Sequence, residues 1–287
     1  MQPLPYEIVD VFTDRAFAGN PLAVVFDGDQ LRTDQMQKVA NEFHLSETIF
    51  VLPPTDPDAT YRVRIFTPES ELPFAGHPSV GAAVTQLRRG LIQAGPVIQE
   101  CGAGLLPIEV SSDGWALLTG GTATVGPELD PAPLLAAVDL SIEDYVGPAP
   151  RMAGCGLEFA YLSVRPEALA RAVADAALAR KFGLDDVVVT AWDPDTRTSR
   201  TRTFVPGKGV PEDPATGSAA LGFGVWLVAS GLLPADGESS YTITQGVEMG
   251  RPSVLECQVT AEGGAVTRAT VRGAVQEVAR GSIIPPA

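Results

Sequence analysis

Hydrophobic and polar positions along this chain fall into short runs with two different periods. Residues 5–12 (PYEIVDVF) and 22–26 (LAVVF) are apolar and β-branched, and the turn-forming TDRAFAGNP between them predicts two strands joined by a loop. Thr33 is placed to cap a helix, and Met36, Val39, Ala40 and Phe43 then recur on one helical face. An apolar strand over 48–52 ends at Pro53-Pro54, and 61–67 (YRVRIFT) alternates as a half-buried strand does. A second helix is predicted to begin near Pro78, where a proline loses no useful donor, and to stop at Gly90 after Arg88 and Arg89. Short strands are expected over 97–119, then at 159–164, 187–192 and 202–205, with a helix over about 167–180. The last helix, 217–229, carries no charge on any face and therefore has to be enclosed by protein on all sides.

The pattern repeats. Arg64-x-Phe66-x-Pro68 with Pro73 beyond it returns as Arg202-x-Phe204-x-Pro206 with Pro211, at a constant spacing of 138 residues, and each run leads into a Gly/Ala-rich apolar helix. Ala18-Gly19 has a counterpart in Ala153-Gly154. The shared order of turn, strand, breaker and central helix predicts two structurally similar halves. The stretch 127–150, with prolines at 127, 131, 133, 148 and 150, is the clearest compositional shift and the candidate for the crossing between them.

Composition narrows the partners. Lys and Arg total 20 against 35 Asp and Glu, and the resulting formal charge of −15 repels a polyanion, so nucleic acid is not expected as a partner. Three widely spaced cysteines, Cys101, Cys155 and Cys257, suit neither a CxxC metal knuckle nor a disulfide framework, and a reducing cytoplasm is the expected compartment. The first residues lack the pattern of a secretory signal, and no apolar run approaches the roughly 18 residues of a membrane span.

Few residues are placed for chemistry. Gly76-His77-Pro78-Ser79 and Asp213-Pro214-Ala215-Thr216-Gly217-Ser218 occupy the same place in the two halves, each at the amino end of an apolar helix. Free backbone N–H groups at two such ends suit a carboxylate, which lets an acidic protein hold a small anionic metabolite; the competing reading makes Asp213 and Ser218 capping or turn residues only. His77 is one of two histidines, with His44, so a three-histidine zinc site is excluded and no metal is expected. His77 at a glycine-flanked helix entry is placed to donate a proton or orient a substrate, or to serve only as a structural donor. Glu47 adjoins Ile49, Phe50 and Val51, where partial burial disfavours the carboxylate and raises its pKa toward neutrality, as general acid/base work requires; a solvated glutamate at a strand edge is the plainer alternative. Gly154-Cys155-Gly156 lacks the third glycine of a dinucleotide fingerprint, and no GxSxG or GxxxxGK[ST] segment occurs, so no cofactor is implied. Cys155 ahead of an apolar strand reads as packing.

Taken together, VDVFTDRAFAGNPLAVVF, NEFHLSET, RIFTPESELPFAGHPSVGAA, PEDPATGSAA and TITQGVEMGRPS closely resemble the phenazine biosynthesis PhzF-like family, in order from the first strand to the end of the chain. The resemblance implies an α+β, diaminopimelate epimerase-like fold: two pseudo-symmetric lobes, each a strongly twisted, mostly antiparallel sheet rolled around a central helix, with the active site between them. It implies an N-terminal lobe of 1–124 plus 282–287 carrying Glu47 and the AGHP helix, a C-terminal lobe of 125–281 carrying the DPATGS helix, and a homodimer. The epimerase relatives use a cysteine on each side of the cleft; the matching positions here are Gly76 and Asp213, which removes that two-cysteine chemistry.

By the same resemblance, Glu47 matches the acid/base of a cofactor-independent isomerase that moves a proton between carbons of a small carboxylic or amino acid. Gly76, His77, Asp213, Gly217 and Ser218 match residues that hold the substrate. Two other functions fit the residues: an epimerase or racemase with Glu47 and Asp213 on opposite faces of the substrate, and a non-catalytic metabolite-binding protein of the same fold. Inversion at a single carbon distinguishes the first, and binding without chemical change the second.

Overall fold

In the computed structural model, which describes residues 2–206 and 211–287, the chain divides into two units, Met1–Thr119 with Arg272–Ala287, and Gly120–Val271. The first unit contains β1 (Leu4–Val11), β2 (Asn20–Val25), α1 (Thr33–Phe43), β3 (Glu47–Leu52), β4 (Tyr61–Phe66), β5 (Glu71–Leu72), α2 (Gly76–Arg88), β6 (Gly95–Cys101), β7 (Gly104–Val110) and β8 (Trp115–Thr119). The second contains β9 (Ala123–Glu128), α3 (Pro131–Ala137), β10 (Arg151–Cys155), β11 (Glu158–Ser163), α4 (Pro166–Leu169), α5 (Ala176–Phe182), β12 (Val187–Asp193), β13 (Thr198–Phe204), β14 (Glu212–Asp213), α6 (Gly217–Ala229), β15 (Gly237–Gln245) and β16 (Ser253–Glu262). The last strand, β17 (Ala265–Ile283), passes the join at Val271/Arg272. Its later part belongs with the first unit because β1 pairs with it from Val11↔Val275 to Leu4↔Ile283. The proline-rich stretch 127–150 is interior to the second unit, where Asp130 caps α3 by accepting from the Ala132 N–H at 3.0 Å.

Strand pairing follows one scheme twice. In the first unit β1–β2 is antiparallel, β2–β3 parallel, β3–β4 antiparallel, β4–β6 parallel and β6–β7 antiparallel. In the second, β10–β11, β11–β12, β12–β13, β13–β15 and β15–β16 run through the same sequence of directions. Both units are therefore α+β, mostly antiparallel sheets around one helix. The Arg-x-Phe repeat has the same structural job in both. Arg64 binds Glu71 through two hydrogen bonds of 2.7 and 2.6 Å, and Arg202 binds Glu212 through two of 2.9 and 2.7 Å. Each fastens a two-residue strand, β5 or β14, to its neighbour just before the central helix.

Each central helix is 13 residues long and buried on nearly every face; α6 carries no charge, and the one arginine of α2, Arg88, lies in its last turn. α2 packs on β1, β2, β3, β7 and β8, and α6 on β9, β10, β11 and β16. Glycine permits the closest of these contacts: a side chain at Gly222 or Gly224 would collide with the Tyr161 or Tyr241 hydroxyl. Those hydroxyls donate to the Ala219 and Ala220 carbonyls of α6, each at 2.7 Å. On the opposite face of the first sheet, Met36, Val39 and Ala40 of α1 pack with Phe50, Leu52 and Phe66.

Two local expectations are corrected. The helix expected over 167–180 is two helices, α4 and α5, because the intervening chain is drawn onto the end of α3 by Val173 N–H to Val138 O (3.0 Å) and Asp175 N–H to Ala137 O (2.8 Å). Asp175 then caps α5 afresh. Thr33 is the first residue of α1 rather than its cap; the Gln35 side chain instead accepts from the Arg32 N–H at 3.0 Å. Ser79 lies inside the first turn of α2, where its hydroxyl donates to the Ala75 carbonyl at 2.8 Å.

Candidate active site

Glu47 is the first residue of β3, and the parallel register Leu22↔Glu47 sets it beside the start of β2. The chain reaches it from α1 through His44, whose left-handed backbone (φ 51°) ends that helix. His44 is exposed and takes no part in the site. Gly76 and His77 are the first two residues of α2, whose cap position, Ala75, supplies no side-chain hydrogen bond. The structure brings Glu47 and His77 together: Oε2 of the glutamate lies 3.6 Å from Nδ1 of the histidine.

The two side chains differ in access. His77 is buried, whereas the Glu47 side chain keeps 17% of its exposure. Burial lowers the His77 pKa from its ordinary value to about 3, opposed by a hydrogen bond with the Pro21 backbone. At working pH the pair is thus a carboxyl group against a neutral imidazole and not an ion pair. Asn20 also reaches this nitrogen, with Nδ2 at 3.2 Å from Nδ1. Nε2 of His77 has no hydrogen-bond partner among the described residues.

In the second unit, Asp213 ends β14, and Gly217 and Ser218 are the first two residues of α6. The DPATGS turn is tied at several points. Thr216 Oγ1 donates to Asp213 Oδ2 at 2.6 Å, Gln245 Nε2 donates to the Asp213 carbonyl at 2.8 Å, and Gln245 Oε1 accepts from the Thr216 N–H at 3.3 Å. Ser253 Oγ donates to the Pro214 carbonyl at 3.0 Å. No side chain caps α6 at Thr216.

Sequence reasoning missed Asn20, Gln245 and Ser253. Their signal lay in the segments AGNP and TITQGVEMGRPS, but polar residues inside or beside apolar strands do not announce which turn they hold. Cys155 is buried, donates its thiol hydrogen to the Gly121 carbonyl at 2.9 Å, and is pushed by burial up to about 11, the state of a packing thiol rather than a nucleophile. Among the described residues, no group of three or more His, Cys, Asp or Glu side chains is placed to hold a metal ion, and no helix is long and apolar enough to cross a membrane.

Residues 9–281 match the family profile described as phenazine biosynthesis-like protein, PhzC-PhzF. The chain belongs to this family. Among PhzC-PhzF relatives, an uncharacterized isomerase of Mesorhizobium japonicum is 36% identical, over 99% of both chains. The trans-2,3-dihydro-3-hydroxyanthranilate isomerase of Pseudomonas aeruginosa is 34% identical, over 93% of this chain and 95% of its own length. The crystal structure of a PhzF-family phenazine biosynthesis protein from Bacillus anthracis superposes with a TM-score of 0.88 at 22% identity, covering 99% of this chain and 100% of that one, and shows the shared fold. This PhzC-PhzF member is an isomerase.

Proposed function

We propose that this protein is a cofactor-independent isomerase that moves a proton between carbons of a small carboxylic or amino acid, with Glu47 as the acid/base. The observation that carries the reading is the pairing of a partly accessible carboxyl group with a buried, neutral imidazole at the start of an apolar helix. A single carboxyl group can take a proton from one carbon and return one to another when its proton affinity is close to that of the medium, and a partly accessible carboxyl group exchanges its proton with the solvent between the two steps. The neutral His77 supports this by orienting the carboxyl group without fixing it as a permanent anion, as an imidazolium would.

Gly76 and His77 are proposed as substrate contacts through the uncapped first turn of α2, and Asp213, Gly217 and Ser218 through the tied turn before α6. Unpaired N–H groups and the positive end of a helix favour an anionic group, which makes a small carboxylate the expected ligand class. The named P. aeruginosa relative makes trans-2,3-dihydro-3-hydroxyanthranilate the first compound to assay, within a panel of cyclic and aromatic carboxylic and amino acids. Glu47→Gln is expected to fold as the parent and lose turnover by about two to four orders of magnitude. Parent-like turnover by that variant would remove the proposal.

A further inference from the structure

The helix that carries His77 at its first turn meets a cavity at its other end. This cavity, of about 310 Å³, is lined by Gln86 of the last turn of α2, by Arg89 and Leu91 just after it, and by Phe26, Leu52 and Tyr61. Its volume falls at the small end of ligand sites, which span roughly 300–1,000 Å³. None of the residues proposed for catalysis lines it. Gln86 lies about 14 Å along the helix from His77 at the usual rise per residue.

Gln86 is the residue that points to a ligand. It is only 2% exposed, and its Nε2 has no hydrogen-bond partner among the described residues. A buried donor left unmade is costly, so an acceptor brought into this cavity is favoured there over the same group in an apolar hollow. Arg89 adds fixed positive charge to the lining: its guanidinium sits 4.1 Å from the Phe26 ring centroid and 3.2 Å from Glu7. On the solvent side, Asp27 and Asp29 are exposed and line the same cavity, and the Asp27 carboxylate is not used to cap the turn that follows it. Leu91, 58% exposed, adds an apolar side chain to the same lining.

We propose that this cavity binds a small apolar α-amino acid, with its carboxylate on Gln86 and Arg89, its side chain against Phe26, Leu52 and Leu91, and its ammonium group facing Asp27 and Asp29. An acid without the amine leaves the two aspartates to repel it, and an amine without the acid leaves Gln86 unanswered; the zwitterion satisfies both ends. The site is independent of the role given to Glu47.

Calorimetric titration of the full chain tests it with three probes: L-phenylalanine, 3-phenylpropionate, which lacks the ammonium group, and 2-phenylethylamine, which lacks the carboxylate. Saturable one-to-one binding of L-phenylalanine is expected, with each truncated probe at least about tenfold weaker. Asp27→Asn and Leu91→Arg, both at exposed positions, should each weaken L-phenylalanine at least about tenfold without altering thermal unfolding, and Glu47→Gln should leave its affinity unchanged. Gln86→Met should act in the same direction as the surface variants. Failure of L-phenylalanine to bind, or binding that is indifferent to Asp27→Asn and Leu91→Arg, would overturn the proposal. Binding lost in Glu47→Gln alone would overturn it as well, by placing the amino acid at the catalytic residues.

Discussion

Glu47 Oε2 stands 3.6 Å from His77 Nδ1, and the histidine of this pair is the neutral member because burial lowers its pKa to about 3. The folded protein therefore refuses a proton that the unfolded chain accepts near the ordinary histidine value of about 6.5. This sets the sign of a stability effect. The contribution is fully present above about pH 6.5 and is lost progressively as the pH falls toward 3. Between neutrality and pH 4 the loss is on the order of 3 kcal/mol. Urea unfolding of the parent and of His77→Asn at both pH values checks it: the variant should lose less stability on acidification than the parent, and an equal loss in the two would contradict a buried neutral histidine.

The duplicated Arg–Glu clamp predicts unequal costs for equivalent substitutions. Arg202 and Glu212 are both buried, and Arg202 also donates to the Leu169 and Ala172 carbonyls, each at 2.7 Å. Arg64 and Glu71 keep 27% and 39% of their side-chain exposure. Glu212→Ala strands a buried guanidinium and should cost about 3–5 kcal/mol, whereas Glu71→Ala should cost about 0–1 kcal/mol. Chemical denaturation of the two variants side by side provides the comparison, and equal losses would contradict it.

Much of this architecture was legible in the chain because its main signals are local. The uncharged run of α6 has to be enclosed, the alternation over β4 allows only a half-buried strand, and Arg-x-Phe before a breaker recurs with the clamp it builds. The glutamate at the entry to β3 and the glycine-flanked histidine of α2 were legible as candidates for the same reason. What could not be read depends on distant partners. The break between α4 and α5 is made by carbonyls of the α3 region, and Asn20 meets His77 across 57 residues of chain. Gln245 reaches back 32 residues to Asp213. Periodicity records which face of an element is buried, but not which carbonyl a polar side chain will find.

Gln245 supplies a prediction for the second unit. Its amide holds the DPATGS turn from both sides, accepting from Thr216 N–H and donating to Asp213 O. Gln245→Ala leaves these backbone groups to find other partners and should cost about 1–3 kcal/mol of stability. If the turn binds substrate, the variant should raise KM more than it lowers kcat. Gln245→Glu keeps the acceptor for Thr216 N–H but loses the donor to Asp213 O, so it should recover only part of the affinity. An unchanged KM in Gln245→Ala would separate this turn from substrate binding.

The proton shift itself is read most directly by isotope. With a compound that the parent converts, turnover in heavy water followed by NMR should place deuterium at the newly protonated carbon of the product, and Glu47→Gln should abolish both conversion and labelling while remaining folded. Product formed by Glu47→Gln at the parent rate with the same labelling would contradict the role assigned to this carboxyl group.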